Sequence, residues 1–180
     1  MYNDTMLIIG HRGAAGLAPE NTMAAIAAGI EAGSDMIEID VRLTRDNQLV
    51  VIHDPRLVRT HRSRESISNL TYDGLIARSG DRPIPLLEQV LDAYFGKVLF
   101  NMEIKSRGAA EQLVRLLKRR YIHKATDWDN LIISSYKAAE LMRVRRLVKR
   151  ANLAMLHNSN PFIFVAYQRA LRLTAVGFHR

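Results

Sequence analysis

The 180-residue sequence predicts an α/β fold in which parallel strands are covered by helices. Two observations carry this reading: short apolar runs alternate with helix-periodic segments along the chain, and most of the strands are separated by stretches long enough for a helical crossover. A third observation, that polar residues gather just where several predicted strands end, indicates where a site would form in such a fold.

The elements follow in order. Met6 to Ile9 is a short apolar run closing at Gly10 and predicts a buried strand. From Pro19 to Ala32 the sequence turns helical, with Pro19 and Glu20 suited to a first turn and Gly33 to the stop. Met36 to Leu43 alternates apolar and polar residues, which places Glu38, Asp40 and Arg42 on one face of a strand. Gln48 to Ile52 is the next strand. The linker between the two is too short for a parallel return, so they pair as a hairpin around Asp46-Asn47. A two-residue loop sets His53 opposite Asp40, with Cβ atoms ~5 Å apart; a three-residue loop shifts that register by one.

Leu57 to Pro85 is polar, turn-rich and laden with arginine, which reads as a loop or small insertion within a hairpin-plus-insertion region at about 42–85. Beyond it the expected elements are a helix at 86–94, a strand at 98–104, a helix at 109–121 and a strand at 131–135. A basic helix at 138–150, a strand at 153–156, a helix at 161–171 and a last strand at 175–178 complete the series. No 20–50-residue repeat is present, which argues against a solenoid.

Composition narrows the function classes. Hydrophobic residues at 48% and charged residues at 24% fit a globular domain and exclude a disordered chain. No apolar run approaches the ~20 residues of a membrane span, and the N-terminus is unlike a signal peptide, so the expected location is cytoplasmic. With no cysteine there is no thiolate ligand or nucleophile. The net charge of +8 is uneven: residues 1–100 carry −3 and residues 101–180 carry +11. A basic half suits an anionic partner, a phosphate-bearing substrate or a transient anionic lipid surface. Arg115, Lys118, Arg119, Arg143, Arg146 and Arg150 are expected on outer helix faces. Without an aromatic platform or a binding motif beside them, no nucleic-acid partner is expected.

At the strand ends stand His11 and Arg12, then Glu38 and Asp40, then Glu103 and Lys105, with His53 brought back by the hairpin. Three carboxylates without thiols suit a hard divalent cation, Mg²⁺ or Ca²⁺. An arginine can fork onto phosphate oxygens and a lysine adds a point charge, while two histidines can act as general base and acid. His61, His123, His157 and His179 are read as structural or surface residues.

Taken together, His11-Arg12-Gly13, Pro19-Glu20-Asn21-Thr22, Glu38-Ile39-Asp40-Val41, His53-Asp54 and Glu103-Ile104-Lys105 resemble, in order and spacing, the signature of the glycerophosphodiester phosphodiesterase family. Thr44-Arg45-Asp46-Asn47, Arg59-Thr60 and Ile84-Pro85-Leu86-Leu87 resemble further landmarks, with Asn47 where the family has glycine. The resemblance implies a TIM barrel of the phospholipase-C-like phosphodiesterase type that hydrolyses glycerophosphodiesters to glycerol 3-phosphate and an alcohol. It implies His11 and His53 as the acid/base pair, Glu38, Asp40 and Glu103 as ligands of a divalent metal ion, and Arg12 and Lys105 as substrate-binding groups on the phosphate.

A complete barrel takes about 250 residues. The strand count here is six, and the family's closing segment has no counterpart, the single tryptophan being Trp128. The expectation is therefore one domain, 1–180, forming a C-terminally truncated barrel of about six strands. Its His11 side would be less supported than its acidic side, and the expectation is either an open barrel with apolar interior residues exposed at the gap or a homo-oligomer that covers the open edge. The competing readings are an inactive barrel that still binds phosphodiesters and a phospholipase-D-like enzyme acting on lysolipids.

Overall fold

The computed structural model describes residues 6–157 and 163–178. Its frame is a sheet in the order β1 (Ile9–Gly10), β2 (Met36–Leu43), β4 (Leu99–Ile104), β5 (Leu131–Ser135), β6 (Leu153–His157) and β7 (Ala175–Phe178), all parallel. β3 (Leu49–Val51) leaves this path and pairs antiparallel with β2 alone. The helices are α1 (Met23–Glu31), α2 (Val58–His61), α3 (Tyr72–Ser79), α4 (Leu87–Tyr94), α5 (Ala109–Arg120), α6 (Ala138–Leu147) and α7 (Ile163–Leu171). The result is an open arc of a parallel barrel, six strands wide among the described residues.

Strand alternation divides the arc into two faces. Ile37, Ile39 and Val41 of β2 and Phe100, Met102 and Ile104 of β4 are fully buried in the core shared with α4, α5 and α6. Burying a side chain of this size contributes about 1.5–3 kcal/mol. The intervening residues point to the barrel interior, and the parallel register sets Glu38 beside Asn101 and Asp40 beside Glu103, with Ser134 of β5 next in that row. One face thus supplies the stability and the other the polar chemistry.

Several boundaries differ from the sequence expectation for identifiable reasons. α1 starts at Met23, not at Pro19. Asn21 adopts a left-handed conformation (φ 57°), incompatible with a helix interior, and the Thr22 hydroxyl then accepts the Ala25 N–H as the N-cap. The hairpin has the longer loop: Val41 pairs with Val51 and Leu43 with Leu49, while Asn47 takes φ 60° in the turn. Asp40 therefore faces Ile52, not His53, and the cross-strand pairing expected for His53 is wrong by one residue. The stretch read as a loop holds α3, capped by Thr71 through the Gly74 N–H, and a second small core of Val50, Ile52, Leu57, Ile67, Leu70, Leu75 and Ile84. Its apolar residues are too sparse to show a clear period.

β1 is shorter than expected and lies at one edge of the sheet. Met6, Leu7, Ile8 and Ile9 are between 50% and 88% exposed, and Val176 on the opposite edge strand is 47% exposed. Arg115, Lys118 and Arg119 on α5 and Arg143 and Arg146 on α6 are exposed, as expected; α6 ends at Leu147 and not at 150, so Arg150 is exposed in the turn beyond it. Arg145 is the exception in that basic run. It is buried and donates to the carbonyls of Leu171, Lys149 and Arg172. The expected helix start at Pro161 and His179 lie outside the described residues.

Candidate metal and phosphodiester site

Three carboxylates stand at the heart of the interior face. Glu38, Asp40 and Glu103 are 6%, 1% and 7% exposed, and each offers an oxygen within 4.8 Å of the others. Adjacent strands in register and residues two apart on one strand produce this grouping, so it is a direct product of the β2–β4 pairing. Burial first, then the Asp40 charge, raise the Glu38 carboxyl to about 8. Glu103 is also raised, by burial, although Lys105 acts against the shift.

Two cations face the triad. Lys105 Nζ lies 2.6 Å from Glu103 Oε1 and 3.2 Å from Asp40 Oδ1, and 5.7 Å from the centre of the Tyr136 ring. Its backbone N–H donates to Val41 O at 3.0 Å, which fixes where β4 ends and the lysine side chain begins its reach. Arg12 Nε lies 3.6 Å from Asp40 Oδ2 and Arg12 Nη1 donates to Glu20 Oε1 at 2.9 Å. Its main chain is held left-handed at φ 53°, with its N–H on Glu38 Oε2 at 2.7 Å.

His11 Nε2 is 3.9 Å from Glu38 Oε2, and the His11 side chain is 66% exposed. Burial, and then the adjacent Arg12 charge, lower its pKa below the usual histidine value. His53 Nδ1 donates to Asp54 Oδ1 at 2.6 Å, and the His53 carbonyl accepts Arg42 Nε at 2.8 Å. Although His53 does not sit opposite Asp40, the strand end still delivers it to within electrostatic reach of His11 and Glu103. All seven residues named from the sequence therefore gather at one end of the sheet. The acidic side is enclosed, whereas the His11 side is open.

The donor set suits a hard divalent ion: oxygen ligands only, with Glu38 Oε1 buried and lacking a hydrogen-bond partner. A bound divalent ion would take the place of the Glu38 proton; with all three acids then ionised and Arg12 and Lys105 beside them, the net charge of the group would be positive and suited to an anion.

Sequence reasoning assigned no role to Asn21, Arg42, Asp54 or Tyr136. Asn21 and Asp54 lie inside motifs already quoted, so position alone marked them. Arg42 shares the β2 face with Glu38 and Asp40. For Tyr136 the signal was only its place just after β5.

The glycerophosphoryl diester phosphodiesterase family model matches residues 11–171. A glycerophosphodiester phosphodiesterase of Caldanaerobacter subterraneus is 31% identical over 96% of this chain and 74% of its own length. The human protein named lysophospholipase D GDPD1 is 35% identical over 68% of this chain and 44% of its own. The crystal structure of a Thermotoga maritima glycerophosphodiester phosphodiesterase superposes with a TM-score of 0.82 at 29% identity, covering 97% of this chain and 74% of the other. Fold, motif order and matched length agree, and the chain belongs to the glycerophosphoryl diester phosphodiesterase family.

Proposed function

We propose that residues 1–180 act as one domain that hydrolyses glycerophosphodiesters to glycerol 3-phosphate and an alcohol with the help of a divalent cation. The observation that carries this reading is the buried triad Glu38, Asp40 and Glu103, faced by Arg12 and Lys105 and flanked by two histidines. Glu38, Asp40 and Glu103 would hold Mg²⁺ or Ca²⁺, which when bound would neutralise charge on the phosphoryl oxygens. Arg12 and Lys105 bind the remaining oxygens and orient the diester.

His11 and His53 move the protons. A ring whose pKa is lowered is neutral near pH 7, so His11 is suited to accept the proton of the glycerol hydroxyl next to the diester. That oxygen attacks phosphorus, and the P–O bond to the alcohol breaks. His53, its ring oriented by the hydrogen bond from Nδ1 to Asp54, gives the leaving oxygen its proton. Water then opens the resulting cyclic phosphate with the two rings in reversed roles, leaving glycerol 3-phosphate.

A second reading, cleavage of the same kind of bond in a lysolipid, is supported by a groove of about 850 Å³. Met23, Tyr72, Ile76, Ala77, Pro83 and Ile84 line it. Pro83 and Ile84 also line the small cavity beside His53. Assays of glycerophosphocholine and lysophosphatidylcholine, each with Mg²⁺, Ca²⁺ or chelator, test both readings. Release of glycerol 3-phosphate that stops with chelator is expected. No turnover of either substrate with any ion would overturn the proposal.

A further inference from the structure

The arginine-rich stretch after β3 has no role in the function proposed above, yet one of its arginines is no ordinary surface charge. Arg59 on α2 aims three donors at two carboxylates. Nη1 and Nη2 reach Glu20 Oε2 and Oε1 at 2.7 and 2.6 Å, and Nε reaches Asp54 Oδ2 at 2.7 Å. Its neighbours Arg56, Arg62 and Arg64 form no ion pair among the described residues.

Both carboxylates are engaged a second time. Asp54 Oδ1 accepts from His53 Nδ1 at 2.6 Å, and Glu20 Oε1 accepts from Arg12 Nη1 at 2.9 Å. A continuous chain, His53–Asp54–Arg59–Glu20–Arg12, thus ties the loop after β3 to the loop after β1. The strands themselves make no such tie, because β1 and β3 each pair with β2 and not with each other. Hydrogen bonding to Arg59 is the main reason that the Glu20 pKa is lowered. At Asp54 burial acts the other way, but the Arg59 and His53 hydrogen bonds outweigh it. A firmly ionised Asp54 keeps the proton on His53 Nδ1 and leaves Nε2 for proton transfer.

We propose that Arg59 is a positioning residue that holds the His53 ring, through Asp54, in register with the Arg12 guanidinium, through Glu20. The inference rests on the roles proposed above for His53 and Arg12. Only a planar guanidinium supplies three donors in a fixed fork; a lysine supplies one point of attachment. Since small displacements of reacting groups can cost about 100-fold in rate, the fork sets how well two loops from different strands cooperate.

The test combines kinetics with a readout independent of turnover. In the parent protein, ¹⁵N NMR of the His53 ring is expected to show one tautomer, protonated at Nδ1. In Arg59→Ala it is expected to show a mixture. With saturating cation, Arg59→Ala is expected to lower kcat on glycerophosphocholine by about 10- to 100-fold. Arg59→Lys should not restore it, and millimolar guanidinium should restore it in part. The double variant Arg59→Ala/Asp54→Asn should be no slower than the slower single variant, because both changes act through one ring.

An unchanged His53 spectrum in Arg59→Ala would overturn the proposal, as would a kcat within twofold of the parent. Loss of rate that tracks loss of folded signal and resists guanidinium would overturn it too, by making Arg59 merely structural. A parent protein inactive on every diester would sink the proposed function, while the ring spectrum would still decide the role of Arg59.

Discussion

Asn21 and Asp40 grip each other twice. Asn21 Nδ2 donates to Asp40 Oδ2 at 2.8 Å, and the Asp40 backbone N–H donates to Asn21 Oδ1 at 3.1 Å. Both residues are buried, and Asn21 tolerates its left-handed backbone where most residues would be strained. Asn21→Ala leaves a buried N–H and a buried carboxylate oxygen short of a partner. It is expected to destabilise the fold by about 1–3 kcal/mol and to weaken divalent-cation binding. Urea unfolding and calorimetric titration with Mg²⁺ and Ca²⁺ would measure the two effects; unchanged values in both would refute the clamp.

His11→Ala and His53→Ala are each expected to lower turnover by about 10²–10⁴-fold while cation affinity stays near that of the parent. The comparison is informative because neither ring belongs to the buried acidic group. A loss of cation binding equal to that in Glu103→Gln would instead make the histidines ligands.

Raised carboxyl pKa values predict how stability responds to pH. Glu38 moves from an ordinary 4.5 to about 8 in the fold, and Glu103 moves in the same direction. Between those values the folded state holds more protons than the unfolded chain, so stability in chelator should fall as pH rises from about 5 to 8. A cation replaces the proton at the triad, so Mg²⁺ or Ca²⁺ should raise Tm more at pH 8 than at pH 5. Thermal unfolding across that range checks this; a Tm that rises with pH in chelator would contradict it.

Arg115, Lys118 and Arg119 lie exposed on α5. Changing all three to glutamine should leave kcat and KM within about twofold, since screened surface charges act only weakly beyond ~10 Å. Retention on an anionic resin should fall. A large rise in KM for glycerophosphodiesters would show that this face guides the substrate.

Arg145→Met should destabilise the fold by roughly 1–3 kcal/mol, because it strips buried or partly buried carbonyls of their donor. Urea unfolding reads the change, with an unaltered midpoint as the contrary result.

What the sequence made legible was whatever depends on period and order. The alternation in Met36–Leu43 placed Glu38 and Asp40 on one face, and β2 spans the residues expected of it. Glu103 joined them because β4 runs parallel to β2 in register. The position of His53 relative to Asp40 was not legible, because it hangs on a single residue in a turn that Asn47 lets close either way. The Glu20–Arg59–Asp54 network was hidden for a different reason. Its members lie 39 and 5 residues apart in sequence and meet only through tertiary packing of loops.

The two-residue length of β1 bears on how the molecule opens. Gly10 and Ile9 are paired to β2 only, whereas β2 is flanked by β1, β3 and β4, and β4 by β2 and β5. Amide hydrogen exchange should therefore grade across the arc, fastest at Ile9–Gly10 and slowest in Ile37–Val41 and Phe100–Ile104. The loop that carries His11 and Arg12 would fluctuate with the fast end, but two hydrogen bonds moor it to the slow one. These are Gly13 N–H to Glu38 O at 3.0 Å and Arg12 N–H to Glu38 Oε2. Removing the Glu38 side-chain acceptor would release the second mooring, so Glu38→Ala should speed exchange at Arg12 well before it disturbs the protected centre of the sheet.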